Sequence, residues 1–109
     1  MHGKALIEKT FKLQPTERAP WVPFVGSHAG SLLGMTADDY LTNEKAMVDG
    51  INKAVAMYRP DGIPTMFDLQ VEAEILGCEL NWSKDNPPAV VSHPLQQGIS
   101  LGSLCIPKP

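Results

Sequence analysis

Asp68 and His28 are the residues best placed by type and position to do chemistry, because each follows an apolar stretch whose pattern predicts a strand. In α/β proteins ligands collect at the carboxyl ends of parallel strands, so these are positions where a carboxylate or an imidazole would meet a substrate. Asp68 closes Ile63–Phe67. Flanking hydrophobic residues would push its pKa up, while a polar surround would keep it ionised. It is also placed to cap a helix over Leu69–Leu76, and the two roles are compatible. His28 lies in the small-residue loop Gly26-Ser27-His28-Ala29-Gly30-Ser31, after Trp21–Val25, with hydroxyls on either side. Loops in such places often carry function. No second histidine or cysteine stands at H-x-x-x-H or H-x-C spacing, so a metal site has little support. Substrate contact and a hydrogen-bonded structural histidine are the other readings.

Other arrangements carry less. Glu72 and Glu74 are two apart on a predicted helix and cannot face the same side, which excludes a paired-carboxylate site. Cys78 and Cys105 form no C-x-x-C and read as buried free thiols. Trp21 and Trp82 read as core or cavity wall. There is no P-loop, no G-x-G-x-x-G and no nucleophile elbow.

The elements that must position Asp68 and His28 alternate in type. A short amphipathic helix is predicted over Gly3–Lys12, stopping before Pro15. Trp21–Val25 reads as a buried strand interrupted by Pro23. Thr36 opens a short helix through Leu41, with a capping box in which Asp39 reaches back. Asn43 or Thr42 caps the longest helix, Glu44–Arg59, which places Met47, Ile51, Ala54, Val55 and Tyr58 on one apolar face and allows Asp49 to pair with Lys53. Pro60 ends it, and Asp61-Gly62 turn the chain into a second strand, Ile63–Phe67, interrupted by Pro64. Strand, helix, strand of this size is a βαβ unit with parallel strands and a right-handed crossover. A helix over Val71–Leu76 closes at Gly77, Glu79–Trp82 and Ala89–Val91 pair as a hairpin, and an irregular tail follows from Ser92.

The chain has 109 residues, a net charge of −3 and 43% hydrophobic residues, within the range of one domain. Ten Pro and nine Gly punctuate it heavily, short of the roughly 25–30% that signals low-complexity disorder. Mild acidity without a Lys/Arg cluster argues against nucleic acid as a partner. No apolar run approaches the ~20 residues that cross a bilayer, and charges from Lys4 to Arg18 replace a secretory h-region. A soluble, cytoplasmic protein with no membrane partner is the expectation.

The run Asp68-Leu69-Gln70-Val71-Glu72-Ala73-Glu74-Ile75-Leu76-Gly77-Cys78-Glu79 resembles the uroporphyrinogen decarboxylase superfamily, and especially its corrinoid-dependent methyltransferase branch, which favours Asp-Leu-x-Val-Glu-Ala-Glu-x-Leu-Gly-Cys-Glu. Pro23–Gly30 and Tyr58–Gly62 fit the same family. The resemblance implies a (β/α)₈ TIM barrel with its cleft at the carboxyl ends of the strands. Such a barrel takes roughly 250 residues. Residues 1–109 are therefore expected to be the α/β, N-terminal part of one: about two parallel strands, several helices and a small β-hairpin. Residues 1–20 would be an N-terminal helical extension and 92–109 an irregular tail or truncated connection.

The same resemblance implies roles. Decarboxylases carry Arg-Gln-Ala-Gly-Arg after the first strand, and its arginines grip the carboxylates of a porphyrinogen. Here Ser27, His28, Ala29, Gly30 and Ser31 stand there instead, and hydroxyls cannot replace forked, charged donors. Ser27, His28 and Ser31 become the candidate substrate-binding residues and Asp68 the candidate catalytic one, although both branches keep that aspartate. In the methyltransferases, zinc held by His-x-Cys and a later Cys activates a thiol that attacks the methyl group of a corrinoid protein, since zinc stabilises a thiolate at neutral pH. No His-x-Cys occurs here, so zinc and the corrinoid partner are expected of the full-length protein, with no cofactor held by this chain alone. The leading expectation is methyl transfer between a corrinoid protein and a thiol or pterin acceptor. Decarboxylation of a tetrapyrrole carboxylate and a non-enzymatic interaction unit are the alternatives. The isolated chain is expected to be inactive and to self-associate through uncovered barrel strands.

Overall fold

The computed structural model describes residues 2–65 and 68–108. Helix α1, Gly3–Phe11, buries Leu6 completely, and the Thr10 hydroxyl donates to the Leu6 carbonyl at 2.9 Å. It stops one residue short of the predicted end, because Leu13 turns to a φ of 54°.

Helices α2 (His28–Leu32), α3 (Ala37–Leu41) and α4 (Glu44–Tyr58) form the packed centre. Asn43 caps α4 as predicted: its side-chain oxygen accepts the Ala46 N–H at 3.0 Å. Arg59 ends the helix in a left-handed conformation before Pro60. Its buried stripe differs from the predicted one. Ala46, Gly50 and Ala54 face inward, whereas Val55 is exposed and Met47, Ile51 and Tyr58 are half-buried. The cause is close packing. A Cβ on Gly50 would lie 2.8 Å from the Tyr40 ring and 3.0 Å from the Ala29 carbonyl oxygen, and one on Gly30 would lie 2.6 Å from Tyr40. Small residues let three helices meet around the Tyr40 ring, which is 3% exposed beside Ala29 and Ala46.

Two predicted polar contacts are replaced. Asp49 bonds Lys45 at 2.6 Å rather than Lys53, because Lys53 reaches the Leu32 carbonyl at the end of α2, also at 2.6 Å. The Thr36 capping box does not form. Its hydroxyl donates to Asp38 at 2.5 Å, holding that carboxyl below its usual range, and no side chain caps α3.

The parallel strands do not form among the described residues, so neither the βαβ unit nor a barrel is present. Trp21–Val25 and residues 63–65 form no strand, and Met66 and Phe67 of the predicted second strand lie outside the described residues. Pro23 and Pro64 each remove a ladder donor, and just before the second segment the Asp61 N–H donates to the Trp21 carbonyl at 3.0 Å.

Helix α5 covers Val71–Ile75, and Gly77 takes a φ of +96° just beyond it. Strands β1 (Glu79–Asn81) and β2 (Ala89–Ser92) pair antiparallel in the predicted hairpin, with Leu80 opposite Val90 and an irregularity between Glu79 and Leu80. Trp82 falls outside the ladder. The predicted irregular tail contains two 3₁₀ turns, Pro94–Gln97 and Leu101–Ser103, the first capped by the His93 ring. The cysteines are free as expected, but not buried: Cys105 is exposed and Cys78 half-buried.

Overall the described molecule measures 55 × 36 × 22 Å, with a radius of gyration of 18.0 Å. A compact chain of this length would have roughly 13 Å. Trp21, Phe24, Leu69 and Ile75 are all at least half exposed.

Candidate functional site

The glycine-started turn before α2 does most of the positioning. Gly26 takes a φ of +52°, and the His28 N–H donates to the Val25 carbonyl at 3.1 Å, so the chain reverses directly from the extended segment into the helix. That turn places Ser27 at the first residue before α2, His28 at its start and Ser31 one turn on.

Ser27 stands between two cavities. One, of about 100 Å³, is shared with Asp68, Leu41 and the prolines Pro87 and Pro88. The other, of about 430 Å³, is shared with His28, Ser31, Thr36, Lys84 and Asp85. Asp68 borders only the first, and His28 and Ser31 only the second of these. The four residues singled out from the sequence therefore flank one loop but do not all face one space.

Asp68 Oδ1 accepts the Gln70 N–H at 2.8 Å. The predicted helix cap does not form: α5 begins at Val71 with Gln70 at its N-cap and no capping side chain, and the Asp68–Gln70 bond is an Asx-type turn ahead of it. Asp68 also borders the small cavity.

His28 is fixed from two sides. Its Nε2 lies 2.7 Å from the Tyr58 hydroxyl, and the two rings stack with centroids 5.9 Å apart and planes at 27°. The Ser31 hydroxyl donates to the His28 carbonyl at 2.7 Å and lies 3.4 Å from Nδ1. With Trp21, Phe24 and Tyr58, the imidazole also borders a third, largely apolar cavity of about 330 Å³.

Three participants were not found by reading the sequence. Its spacing puts Tyr58 on the apolar face of the long helix. Its position one residue before the αL cap, in Tyr-Arg-Pro-Asp-Gly, is the only local signal that it leaves that face. Lys84 reaches the site because its carbonyl accepts the Ala37 N–H at 2.8 Å, docking the hairpin loop on α3. Nothing in the sequence links positions 37 and 84. The third is the Arg18–Asp61 pair, with both guanidinium nitrogens on the carboxylate at 2.6 and 2.7 Å. The Trp21 N–H adds a third bond at 2.8 Å. The guanidinium and this backbone donor bring the Asp61 pKa down to about 2. Arg18 is thereby committed to structure and is not a ligand-binding cation.

Among the described residues no three His, Cys, Asp or Glu side chains come close enough to hold a metal ion. The donor set does not fit a zinc site. No described helix is long and apolar enough to cross a membrane.

Compared with known proteins, residues 2–107 match the family model described as Uroporphyrinogen decarboxylase (URO-D). No curated protein and no solved structure matches the chain.

Proposed function

This chain belongs to the uroporphyrinogen decarboxylase family, and from that premise we propose that it is the N-terminal part of a barrel enzyme that moves a methyl group between a corrinoid protein and a thiol or pterin acceptor. The carrying observation is the charge of the α2 loop. Ser27 and Ser31 border the cavities where the decarboxylase pattern has arginines, and among the described residues that border the three cavities Lys84 is the one lysine or arginine. A substrate with many carboxylates calls for several forked cations. The nearby Arg18 is held by Asp61.

The partial-barrel reading draws on size and shape. A (β/α)₈ barrel takes roughly 250 residues, and the elongated outline with exposed Trp21 and Phe24 suits a piece whose apolar segments are covered by further elements. Within such an enzyme Asp68 would offer a carboxylate at the mouth of the small cavity, and Ser27, His28 and Ser31 would orient the substrate by hydrogen bonds. Zinc would supply an activated thiolate when bound. Its ligands are not among the residues described here, and no step of this chain depends on it.

The test is binding of a polycarboxylate porphyrin to the full-length protein. The wild type is expected to bind it weakly, and Ser27→Arg with Ser31→Arg to raise affinity at least tenfold, since each charge-assisted bond contributes roughly 1.5–3 kcal/mol. Tight binding by the wild type would favour the decarboxylase reading instead. Unchanged affinity in the double variant would remove the loop from the substrate site.

A further inference from the structure

The two cavities beside Ser27 share a second wall. The polar one, with His28 and Ser31, is also bordered by Lys84 and Asp85, and the small one, with Asp68, by Pro87 and Pro88. All four belong to the turn that joins β1 to β2. That turn is held lightly. Among the described residues, the one backbone hydrogen bond between residues 79–92 and helices α2–α4 runs from the Ala37 N–H to the Lys84 carbonyl, at 2.8 Å. The strands add little packing: Leu80 and Ser92 are half-buried, the other strand residues are exposed, and within residues 79–92 only Pro88 is buried. The bond sits where α3 has no side-chain cap, because the Thr36 hydroxyl is turned to Asp38. The Lys84 carbonyl thus takes a first-turn N–H that has no partner within its helix.

We propose that the turn at residues 83–88 is a gate over the candidate site, latched by the Ala37–Lys84 bond, and that releasing the latch opens the small and the polar cavity into one cleft. With the latch made, Asp68 borders one space and His28 and Ser31 the other, so a single ligand cannot reach all three. Swinging the turn away removes wall residues of both cavities at once and leaves Ser27 between them. One ordinary hydrogen bond makes a small net contribution, and segments tied by few buried contacts open at low cost. The turn keeps its own shape as it moves, since the Asp85 N–H donates to Ser83 Oγ at 3.2 Å within it and β1 and β2 are paired to each other. That a substrate fills the joined cleft rests on the proposed function above. The gate itself does not.

The experiment uses the full-length protein carrying Ser27→Cys, which puts a thiol at a position bordering both cavities. Its alkylation by N-ethylmaleimide and by the bulkier fluorescein maleimide is followed by peptide mass mapping, which separates it from Cys78 and Cys105. Adding Ala37→Pro deletes the latch donor and spares α3, because proline is favoured at the first position of a helix and Thr36 already has the extended backbone, φ −73° and ψ 159°, that a residue before proline adopts. The bulky reagent is expected to react roughly fivefold faster in Ala37→Pro, the shift that one net hydrogen bond corresponds to, and the small reagent to change less. Ala37→Gly, which keeps the N–H, is expected to match the parent. An unchanged bulky-reagent rate in Ala37→Pro would overturn the gate, as would the same acceleration in Ala37→Gly. Amide hydrogen exchange gives a second reading that needs no substitution at Ala37. Its N–H is expected to exchange faster than that of Tyr40, which bonds the Thr36 carbonyl at 3.0 Å; equal protection of the two would overturn the latch. None of these readings requires turnover, so failure of the methyltransferase reading would be seen separately.

Discussion

The Arg18 fork and the Trp21 N–H converge on the Asp61 carboxylate, a bidentate arrangement stronger than an ordinary surface ion pair. Its folded pKa of about 2 lies below the ordinary 3.8. Its contribution to stability is thus complete above the unfolded value and is lost as pH falls through the folded one. Urea midpoints measured between pH 4 and pH 2 should fall in the wild type. Asp61→Asn should be less stable at neutral pH and lose this part of the acid slope; an unchanged slope would show that other carboxylates set it. The partner of Asp61 could not be read locally, since 43 residues separate Arg18 from it. Asp68 was legible only as a local acceptor: the expected cap of a helix from Leu69 is replaced by a bond to the Gln70 N–H, because α5 starts two residues later, at Val71, and its sharing of a cavity with Ser27 depends on tertiary placement.

At the scale of elements, the seam of α2, α3 and α4 depends on what is missing from Gly30 and Gly50. At an open helical glycine, alanine would add roughly 1 kcal/mol through propensity. Here overpacking against Tyr40 should win, and Gly50→Ala is expected to cost about 1–3 kcal/mol in urea unfolding. Gly102→Ala, whose Cβ meets nothing within 4 Å, should be close to neutral. Equal effects at the two sites would discount the seam. Helices were legible because capping and periodicity are local: Asn43, Pro60 and Gly77 mark ends that the structure keeps. The inward face of α4 was not, because hydropathy selects Met47 and Val55 while close approach selects Ala46 and Gly50. The two predicted strands do not form among the described residues. A strand becomes a strand through its neighbour, and Pro23 and Pro64 weaken the pairing that the segments could make with each other.

For the whole molecule, the family was legible from the Asp68–Glu79 run, and residues 2–107 bear it out. The barrel fold that the family implies was not formed by these residues, whose radius of gyration is 18.0 Å and whose extended segments leave Trp21 and Phe24 exposed. Function is the least local property of all, because the site loop can be read while the elements facing it cannot. The central claim is that a loop with Ser27 and Ser31 in place of arginines serves methyl transfer. The most direct measurement supplies the full-length protein with a methylated corrinoid protein and a thiol or pterin acceptor, and in parallel with uroporphyrinogen. The account predicts a methylated acceptor and no release of CO₂; CO₂ from uroporphyrinogen without methyl transfer would contradict it.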